Sequence, residues 1–356
     1  MLADAIDLST LANALVIKLR HHGDVLLSSP VFSVLRQHAP HLSIDALVYE
    51  DTAEMVSLHP AIRFVHTIDR NWKRGGIITQ ARAEAGLARR LRRANYDLVI
   101  HLTDHPRGMW VKWLSGARYG VARKDVTRPL WRRAFSHLYA LPRGTPRHTA
   151  ETDLDALRRI GVYPADNARA LTLVPGPAAQ QHVSALMESH GLRSRQFIHI
   201  HATSRWMFKC WTVPEIAQVI DTLARHYAIV LTAAPAAREL AMIAAIKSAV
   251  NVNVIDLAGR LSLKQLAALI GEARLSISVD SAPMHIAAAM QTPVVALFGP
   301  SSEIVWGPWQ VHHRVVHSNH PCRPCGNDGC GGGKVSECLT TLPARAVLDA
   351  VSELLG

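Results

Sequence analysis

The sequence predicts an α/β fold built from two doubly wound domains, and three observations lead to this prediction. Short apolar strands alternate with helical stretches through both halves of the chain, as in parallel sheets covered by helices on both faces. The 356 residues suffice for two domains, and 49% hydrophobic with 19% charged residues is a globular composition. Proline-bearing stretches at 162–169 and 174–177 form a linker, so we predict domains over residues 1–170 and 171–356.

The first half contains a βαβ series. Helices are predicted at 25–38 and 79–93, and Pro30 must either lie in the first turn of its helix or kink it. A further helix is predicted at 151–160. The predicted strands cover residues 15–19, 44–49, 64–68 and 96–102.

The turn after the first strand contains Gly23 and Asp24. It has the position of a phosphate-binding turn, but no G-x-G-x-x-G pattern accompanies it, and the Asp24 carboxylate would repel a phosphate. A carboxylate at this position is suited to accepting a proton or a hydroxyl hydrogen bond. The alternative is that Asp24 only caps the helix that follows.

The second half repeats the pattern and predicts a second doubly wound domain. Its predicted strands cover residues 197–201, 228–232, 253–257, 275–279 and 294–298, and its helices 214–226, 235–250, 263–272 and 283–290.

Polar residues interrupt the apolar stretch 274–301. Its first strand stops at Asp280 and Ser281, either of which can serve as the N-cap of the following helix, which carries His285. All three residues therefore lie at the carboxyl end of a strand and the positive end of a helix, where a diphosphate is stabilised. The alternative is that Asp280 only caps and His285 only packs.

The segment 201–211 follows another predicted strand. Thr203 and Ser204 supply hydroxyls and backbone donors, and Lys209 can reach a diphosphate as a point charge. Trp211 is interpreted as a core residue that anchors the next helix.

The chain is basic, with 39 Lys and Arg against 28 Asp and Glu, a net charge of +11. This balance suits an anionic partner: nucleic acid, a nucleotide-linked substrate, or the inner leaflet of a membrane. The excess lies in the first half, at 89–93, 118–124 and 128–133, but no nucleic-acid motif accompanies these arginines. The alternative is a solvated face that only keeps the protein soluble.

No apolar run is long enough to cross a bilayer, and the first ten residues lack the features of a signal peptide. We therefore expect a cytoplasmic protein.

Four cysteines, Cys322, Cys325, Cys330 and Cys338, have the spacing C-x2-C-x4-C-x7-C. Disulfides are not expected in a cytoplasmic chain, so free thiols or a structural zinc site remain. The second pair departs from the tight spacing of a zinc ribbon, which favours free thiols. The fifth cysteine, Cys210, is interpreted as a buried thiol.

Taken together, these segments resemble glycosyltransferase family 9, the bacterial lipopolysaccharide heptosyltransferases. The resemblance covers nearly the whole chain and is closest to the branch called heptosyltransferase III. The motifs that carry it are LVIKLRHHGDVLLSSPVFSVL, HATSRWMFKCW, LAGRLSLKQLAALI and SVDSAPMHIAAAMQTPVVALFGPS, together with the cysteine-bearing CRPCGNDGCGGGKVSECL.

The resemblance implies a GT-B architecture, with two Rossmann-like domains facing each other across a cleft. The acceptor would bind to the N-terminal domain and the nucleotide sugar to the C-terminal one. The implied reaction moves L-glycero-D-manno-heptose with inversion from ADP-heptose to a heptose of the lipid A-core. No metal cofactor is implied, and the sequence has no D-x-D motif beside the donor residues. The implied location is the inner face of the cytoplasmic membrane, reached by a basic surface.

Site residues follow from the resemblance position by position. Asp24 matches the proposed general base, and Gly23 and Arg128 lie on the acceptor side. The donor side comprises Thr203, Ser204, Lys209, Leu261, Asp280, Ser281, Ala282 and His285, of which Leu261 would contact adenine.

The sequence departs from the family at Ala282, where many relatives carry glycine, so the backbone's approach to phosphate is more crowded. The alternatives are the same fold with another nucleotide sugar or acceptor, and a basic module that binds nucleic acid or membrane.

Overall fold

The computed structural model describes residues 2–72, 76–141 and 144–356. The chain divides into two compact units, Met1–Val174 and Pro175–Gly356. Each unit contains a six-stranded sheet in which the paired strands run parallel. The predicted α/β class with two parallel sheets is therefore confirmed. Among the described residues, no helix is long and apolar enough to span a membrane.

The first unit alternates strands and helices along the chain. Its strands are β1 (Asn13–Lys18), β2 (Ser43–Tyr49), β3 (Phe64–Ile68), β4 (Leu98–His101), β5 (Tyr119–Arg123) and β6 (His137–Tyr139). Its helices are α1 (His22–Leu27), α2 (Ser29–His38), α3 (Ile77–Arg93), α4 (Pro106–Ser115), α5 (Trp131–Ala134) and α6 (Thr149–Arg158).

The first sheet has the strand order β3-β2-β1-β4-β5-β6. The order reverses between β1 and β4, and the crevice outside the carboxyl ends of such a strand pair is where open α/β sheets bind ligands. The chain leaves β1 towards α1, and it leaves β4 towards α4. The first turn of α1, with Gly23 and Asp24, therefore lies at this switch point.

One helix predicted at 25–38 is in fact two. Ser28 ends α1, because its backbone N–H and its hydroxyl both donate to the carbonyl oxygen of Val25, at 3.1 and 2.7 Å. Pro30 lies in the first turn of α2, where its missing N–H costs no hydrogen bond. The break shortens α1 to six residues and separates the Asp24 turn from the longer helix.

The helices α3 and α4 cover the same face of the first sheet. Leu87 and Leu91 of α3 and Val111 of α4 belong to one buried cluster with Leu15 and Val99 of the sheet. The outer sides of both helices therefore point in the same direction, away from the sheet.

The second unit repeats the arrangement. Its strands are β7 (Phe197–His201), β8 (Ala228–Leu231), β9 (Ile255–Asp256), β10 (Leu275–Val279), β11 (Val294–Leu297) and β12 (His313–Val316). Its helices are α7 (Pro177–Ser189), α8 (Val213–Leu223), α9 (Ala237–Ala249), α10 (Leu263–Glu272), α11 (Ala282–Ala289), α12 (Glu303–Trp306), α13 (Glu337–Thr340) and α14 (Ala344–Leu355).

The second sheet has the order β12-β11-β10-β7-β8-β9, so its switch point lies between β10 and β7. Trp211 is buried in the core of this unit, and its indole N–H donates to the carbonyl oxygen of Leu342 at 2.9 Å. The interpretation of Trp211 as a core residue is therefore confirmed.

Position 108 of α4 must be glycine because the His101 ring lies directly beneath it. A Cβ at this position would lie 2.2 Å from Nε2 of His101. His101 is fully buried and lies against the rings of Phe135 and Trp131, with centroids 5.9 and 5.5 Å away, so it has no room to move.

We predict that Gly108→Ala lowers the free energy of unfolding by about 1–3 kcal/mol, the cost of overpacking a filled core. Gly86→Ala in α3 is the matched control, because its new Cβ would meet only the end of the Arg90 side chain at 3.7 Å. That control is expected to stabilise the protein slightly, as alanine favours a helix. Urea unfolding of both variants measures the difference, and equal stability of the two would contradict the clash.

Candidate functional site

The loops after β7 and β10 bring Lys209 and Asp280 together in the second unit. The strands are neighbours and parallel, so their carboxyl ends lie side by side. Lys209 Nζ lies 2.6 Å from Oδ2 of Asp280, with side chains 21% and 8% exposed. The sequence assigned both residues to one site, and the structure places them in direct contact. The ammonium is held at the sheet edge with part of its surface accessible.

Thr203 is fixed by a carboxylate that the sequence analysis missed. Its Oγ1 donates to Oε2 of Glu239 at 2.7 Å, and the backbone N–H of Ala234 donates to the same oxygen at 3.4 Å. Glu239 lies in the first turn of α9 and is buried. The sequence did offer a signal for this contact. Glu239 follows the loop after β8, and an acid there can reach the end of the neighbouring strand β7. Thr203 is thus oriented, with a lone pair left for another donor.

Ser204 lies in a loop that Cys210 closes. The Ser204 backbone N–H donates to the Cys210 Sγ at 3.2 Å, and the Ser204 hydroxyl accepts from the Trp206 N–H at 3.3 Å. Burial raises the pKa of the Cys210 thiol to about 11, so the sulfur stays protonated at neutral pH. Cys210 was interpreted as a buried thiol, and the structure leaves the residue partly exposed.

At the start of α11 the Ala282 amide is left as a donor, whereas Pro283 has no N–H and the Met284 amide donates to the Ser281 carbonyl oxygen at 3.1 Å. Ser281 is the N-cap residue, but its hydroxyl donates to the Val279 carbonyl oxygen at 3.2 Å and caps no helical N–H. Neither predicted cap, Asp280 or Ser281, therefore covers these amides with its side chain. Ala282 opens the helix and His285 is buried one turn later. The Ala282 N–H and the helix dipole favour an anion here.

Leu261 lies directly before α10, whose first turn is closed by a capping box between Ser262 and Gln265. The leucine is half-buried and packs against a cluster formed by α7, α10 and the sheet, including Leu257 and Leu269. It therefore keeps an accessible apolar side at the carboxyl edge of the sheet. Contact with an adenine remains a prediction.

A chain of buried neutral histidines lies within this sheet. Thr232 Oγ1 lies 2.7 Å from His199 Nε2 and 2.9 Å from His201 Nδ1, and His199 Nδ1 lies 2.9 Å from Ser276 Oγ. Burial lowers the pKa of His199 to about 3 and that of His201 to about 4. Both rings are therefore uncharged at neutral pH, which spares the sheet an uncompensated buried charge.

In the first unit, Asp24 lies in the first turn of α1, whose N-cap is His21. Asp24 is therefore not the cap residue, so this alternative to a functional role is wrong. Gly23 precedes it in the same turn, and both residues are partly exposed. The carboxylate thus lies at the switch point of the first sheet, accessible to a ligand.

Beside Asp24 lies a buried ion pair that the sequence analysis missed. Lys18 Nζ lies 2.8 and 2.6 Å from the two carboxylate oxygens of Asp153. Burial raises the pKa of Asp153 to about 6, Lys18 opposes this shift, and the negative charge of Asp24 adds to it. A lysine inside the apolar run LVIKL was the signal, because a buried ammonium needs a partner. The partner is 135 residues away in the sequence and cannot be read from local pattern.

Arg128 belongs to a basic concave surface at the same edge of the first sheet. A cavity of about 590 Å³ is lined by Lys124, Asp125, Val126, Thr127, Arg128, Leu130, Arg132 and Arg133. The pKa of His105 at the start of α4 is lowered by burial and then by the positive charges of Arg107 and Arg128, which places Arg128 near that helix. Asp125 is bound to Arg123 at 2.5 Å, so the cavity is predominantly cationic.

The four clustered cysteines are free thiols in the structure. Cys322 Sγ lies 3.3 Å from His320 Nδ1, and Cys330 Sγ accepts the Glu337 backbone N–H at 3.4 Å. Within the described part of the chain, no three His, Cys, Asp or Glu side chains are grouped so that they could hold a metal ion. The thiols nevertheless lie near one another: loss of hydration raises the pKa of Cys322, and the neighbouring Cys325 and Cys330 raise it further. A structural zinc at these cysteines therefore stays a prediction.

The chain is similar to known glycosyltransferases. Residues 85–335 match the sequence profile of glycosyltransferase family 9 (heptosyltransferase). Lipopolysaccharide heptosyltransferase 3 of Escherichia coli K12 is 35% identical over 95% of this chain and 96% of its own length.

Two solved structures are also similar. The family 9 glycosyl transferase of Veillonella parvula has a TM-score of 0.85, with 26% identity and 99% of both chains covered. E. coli heptosyltransferase WaaC with ADP-2-deoxy-2-fluoro heptose has a TM-score of 0.74 at 19% identity, covering 96% of this chain and 99% of that one. These likenesses confirm the predicted GT-B class with two Rossmann-like domains.

The buried histidines predict acid sensitivity of the second sheet. Their folded-state pKa values lie below the ordinary value of 6.5, so as pH falls below 6.5 only the unfolded chain gains these protons and stability is lost. From pH 7 to pH 5 we expect a loss of about 2 kcal/mol for each ring. Hydrogen exchange of the β7 and β8 amides, corrected for intrinsic rates, measures this loss.

His199→Gln retains hydrogen-bonding groups but does not titrate, so it should reduce the pH-dependent loss by about half. His226→Gln, at an exposed position, is the control and should leave the loss unchanged. An equal pH dependence in wild type and His199→Gln would contradict the assignment.

Proposed function

We infer that this chain, which belongs to glycosyltransferase family 9 (heptosyltransferase), transfers L-glycero-D-manno-heptose from ADP-heptose to a heptose of the lipopolysaccharide inner core. The observation that carries this proposal is the 35% identity, over nearly the full length of both chains, with an E. coli lipopolysaccharide heptosyltransferase 3. Fold alone would not support a substrate, because GT-B and other α/β folds host many activities.

The proposed donor site is the carboxyl edge of the second sheet. Lys209 and the Ala282 amide at the start of α11 supply a positive charge and an N–H donor for the ADP diphosphate. Thr203, Ser204 and Ser281 add hydroxyls, Ala282 and His285 line the helix start, and Leu261 offers an apolar surface for adenine. The ADP-heptose analogue bound by the related E. coli enzyme WaaC supports the choice of nucleotide.

The proposed reaction is a single in-line displacement with inversion. The acceptor hydroxyl oxygen bonds to the anomeric carbon as the bond from that carbon to the ADP oxygen breaks, and Asp24 takes the hydroxyl proton. Lys209, the Ala282 amide and the dipole of α11 stabilise the charge that develops on ADP. Asp280 offers a carboxylate near the sugar, where an oxocarbenium-like transition state carries positive charge. Because cationic groups meet the leaving diphosphate, the proposed reaction requires no metal cofactor.

The proposed acceptor side is the switch point of the first sheet, with Gly23, Asp24 and Arg128. The basic cavity around Arg128 suits the anionic groups of a lipid A-core. Because that acceptor is anchored in a bilayer, the enzyme would work at the inner face of the cytoplasmic membrane, attached through a basic surface. Nucleic acid is not part of this proposal.

The test is transfer to a defined acceptor. Purified enzyme is incubated with ADP-heptose and a core oligosaccharide that ends at the inner-core heptose, and mass spectrometry follows the product. We expect a gain of one heptosyl unit together with release of ADP. UDP- and GDP-activated sugars serve as controls, and transfer from one of these but not from ADP-heptose would refute the proposed donor.

Two variants should separate chemistry from donor binding. Asp24→Asn removes the base and should lower kcat by about a hundredfold or more, with ADP affinity unchanged. Lys209→Met removes a charged contact and should weaken ADP binding about ten- to a hundredfold, whereas Lys209→Arg should retain much of it. Calorimetry with ADP and initial-rate kinetics measure the two effects.

Lys247→Met is the matched control, because Lys247 forms a comparable ion pair with Asp256 at 2.8 Å outside the site. Near-normal turnover of Asp24→Asn would remove Asp24 from catalysis. Undiminished ADP affinity in Lys209→Met would remove Lys209 from the diphosphate site.

A further inference from the structure

The outer side of α3 and α4 combines exposed apolar side chains with exposed arginines. We call this surface the α3–α4 face. It is formed by Ile77, Ile78, Arg82, Arg89, Arg93, Trp110, Trp113 and Leu114, which are all exposed. None of them belongs to the donor or acceptor residues proposed above.

On α4, three apolar side chains occupy one stripe. Trp110, Trp113 and Leu114 have the i, i+3, i+4 spacing of one helix face, and Trp110 is 54% exposed. The two indole rings touch edge to face, with centroids 5.2 Å apart. Val111 and Ser115 are buried on the opposite side of the helix. The tryptophans therefore do not fill the core of this unit but form an apolar ridge in solvent.

On α3, the first turn is apolar and the rest of the stripe is cationic. Ile77 is 87% exposed. The side opposite the buried Leu87 and Leu91 carries a stripe with spacings of four, seven and four residues. Its members are Ile78, Arg82, Arg89 and Arg93. None of the three arginines forms an ion pair with a carboxylate within the described ranges. Five arginines and one glutamate in α3 give this helix a net charge of +4 (5 − 1).

The two helices present these stripes side by side. The guanidinium of Arg107 in α4 binds the carboxylate of Glu84, the only acid of α3. Because both helices cover the same face of the sheet, the tryptophan ridge and the arginine stripe point in the same direction. The face is continuous with the start of α4, where Arg107 and Arg128 lie near His105.

The chemistry of the face identifies its partner. Tryptophan is favoured at the boundary between headgroups and acyl chains, where its ring is apolar and its N–H remains wet. Arginines around such a ridge suit anionic headgroups, each adding about fivefold to binding. A second copy of the chain docked face to face would oppose like charges, which disfavours a dimer.

We propose that the α3–α4 face docks the enzyme on a bilayer containing anionic phospholipid. Trp110, Trp113, Leu114 and the two isoleucines enter the interfacial region, and Arg82, Arg89 and Arg93 bind headgroup phosphates. This inference rests on the proposed function for its purpose, because a lipid-anchored acceptor must be met at the membrane. The docking itself depends only on the surface.

The experiment is sedimentation of the full chain with vesicles. One set contains phosphatidylethanolamine and phosphatidylglycerol, and the other contains phosphatidylcholine alone. We expect binding to the anionic vesicles that weakens as salt is raised, and weak binding to the neutral ones. The variant Trp110→Ser/Trp113→Ser should lower partition at least about tenfold, and Arg82→Gln/Arg89→Gln/Arg93→Gln about a hundredfold on anionic vesicles alone.

Matched controls make the same chemical changes elsewhere. Tyr163→Ser removes an aromatic ring that is 59% exposed in the same unit, outside the face. Arg193→Gln/Arg225→Gln/Arg238→Gln removes three exposed arginines from the second unit. Both controls should bind vesicles like the wild type. If the control and test triple-arginine variants lose vesicle binding equally, binding depends only on net charge. That result would overturn the assignment to this face.

Transfer to a water-soluble, deacylated core acceptor separates this inference from the proposed function. The tryptophan and arginine variants should retain that transfer and their melting temperatures, while transfer to acceptor embedded in vesicles falls. Wild-type enzyme that transfers heptose but does not bind anionic vesicles would overturn the docking inference alone. Vesicle binding without heptose transfer would instead refute the proposed function alone. A mass in solution that halves in the tryptophan variant would reassign the face to self-association.

Discussion

Parallel strand order is the constraint on which both candidate sites depend. Because β7 and β10 are neighbours that run in the same direction, the loops that follow them lie at one edge of the sheet. Lys209 therefore meets Asp280, although the two are 71 residues apart in sequence. The same rule in the first unit places the Asp24 turn at the switch between β1 and β4. An antiparallel pairing of either strand would send its loop to the opposite edge of the sheet. The strand order of each sheet thus determines which side chains can meet at its candidate site.

The sheet in turn depends on how its buried polar groups are satisfied. His199 and His201 are shielded as neutral rings that share Thr232, whereas Lys18 and Asp153 are shielded as an ion pair. Both solutions avoid an uncompensated charge, although they respond differently to protons. Burial keeps protons off the histidine rings, whereas it raises the pKa of the Asp153 carboxyl in the ion pair. Each sheet can therefore keep polar side chains in its interior, near the candidate site, without an uncompensated charge.

The sequence predicted β1 to β4 and β7 to β11 because hydrophobic periodicity is local, and α10 was predicted at its observed bounds. It missed β12 and the long helices α7 and α14. It failed where a single side chain decides, as at Ser28, whose hydrogen bonds to Val25 end α1. Residues 106–139 were not assigned elements. β5, α5 and β6 are only three to five residues long, and the ten-residue α4 carries apolar side chains on its exposed side, which obscures its helical pattern. The motifs located Thr203, Lys209 and Asp280. Partners such as Glu239 and Asp153 were missed because tertiary contact, not spacing, brings them to the site.

The buried pair of Lys18 and Asp153 has a consequence for how this protein diverges. Exchange of either residue alone leaves an uncompensated charge in the interior, at a cost of about 3–5 kcal/mol, a large fraction of the stability of a domain. A lineage can therefore abandon the pair only by changing both codons nearly together, or after other mutations have raised stability. Two positions 135 residues apart should consequently co-vary in evolution as if they were adjacent.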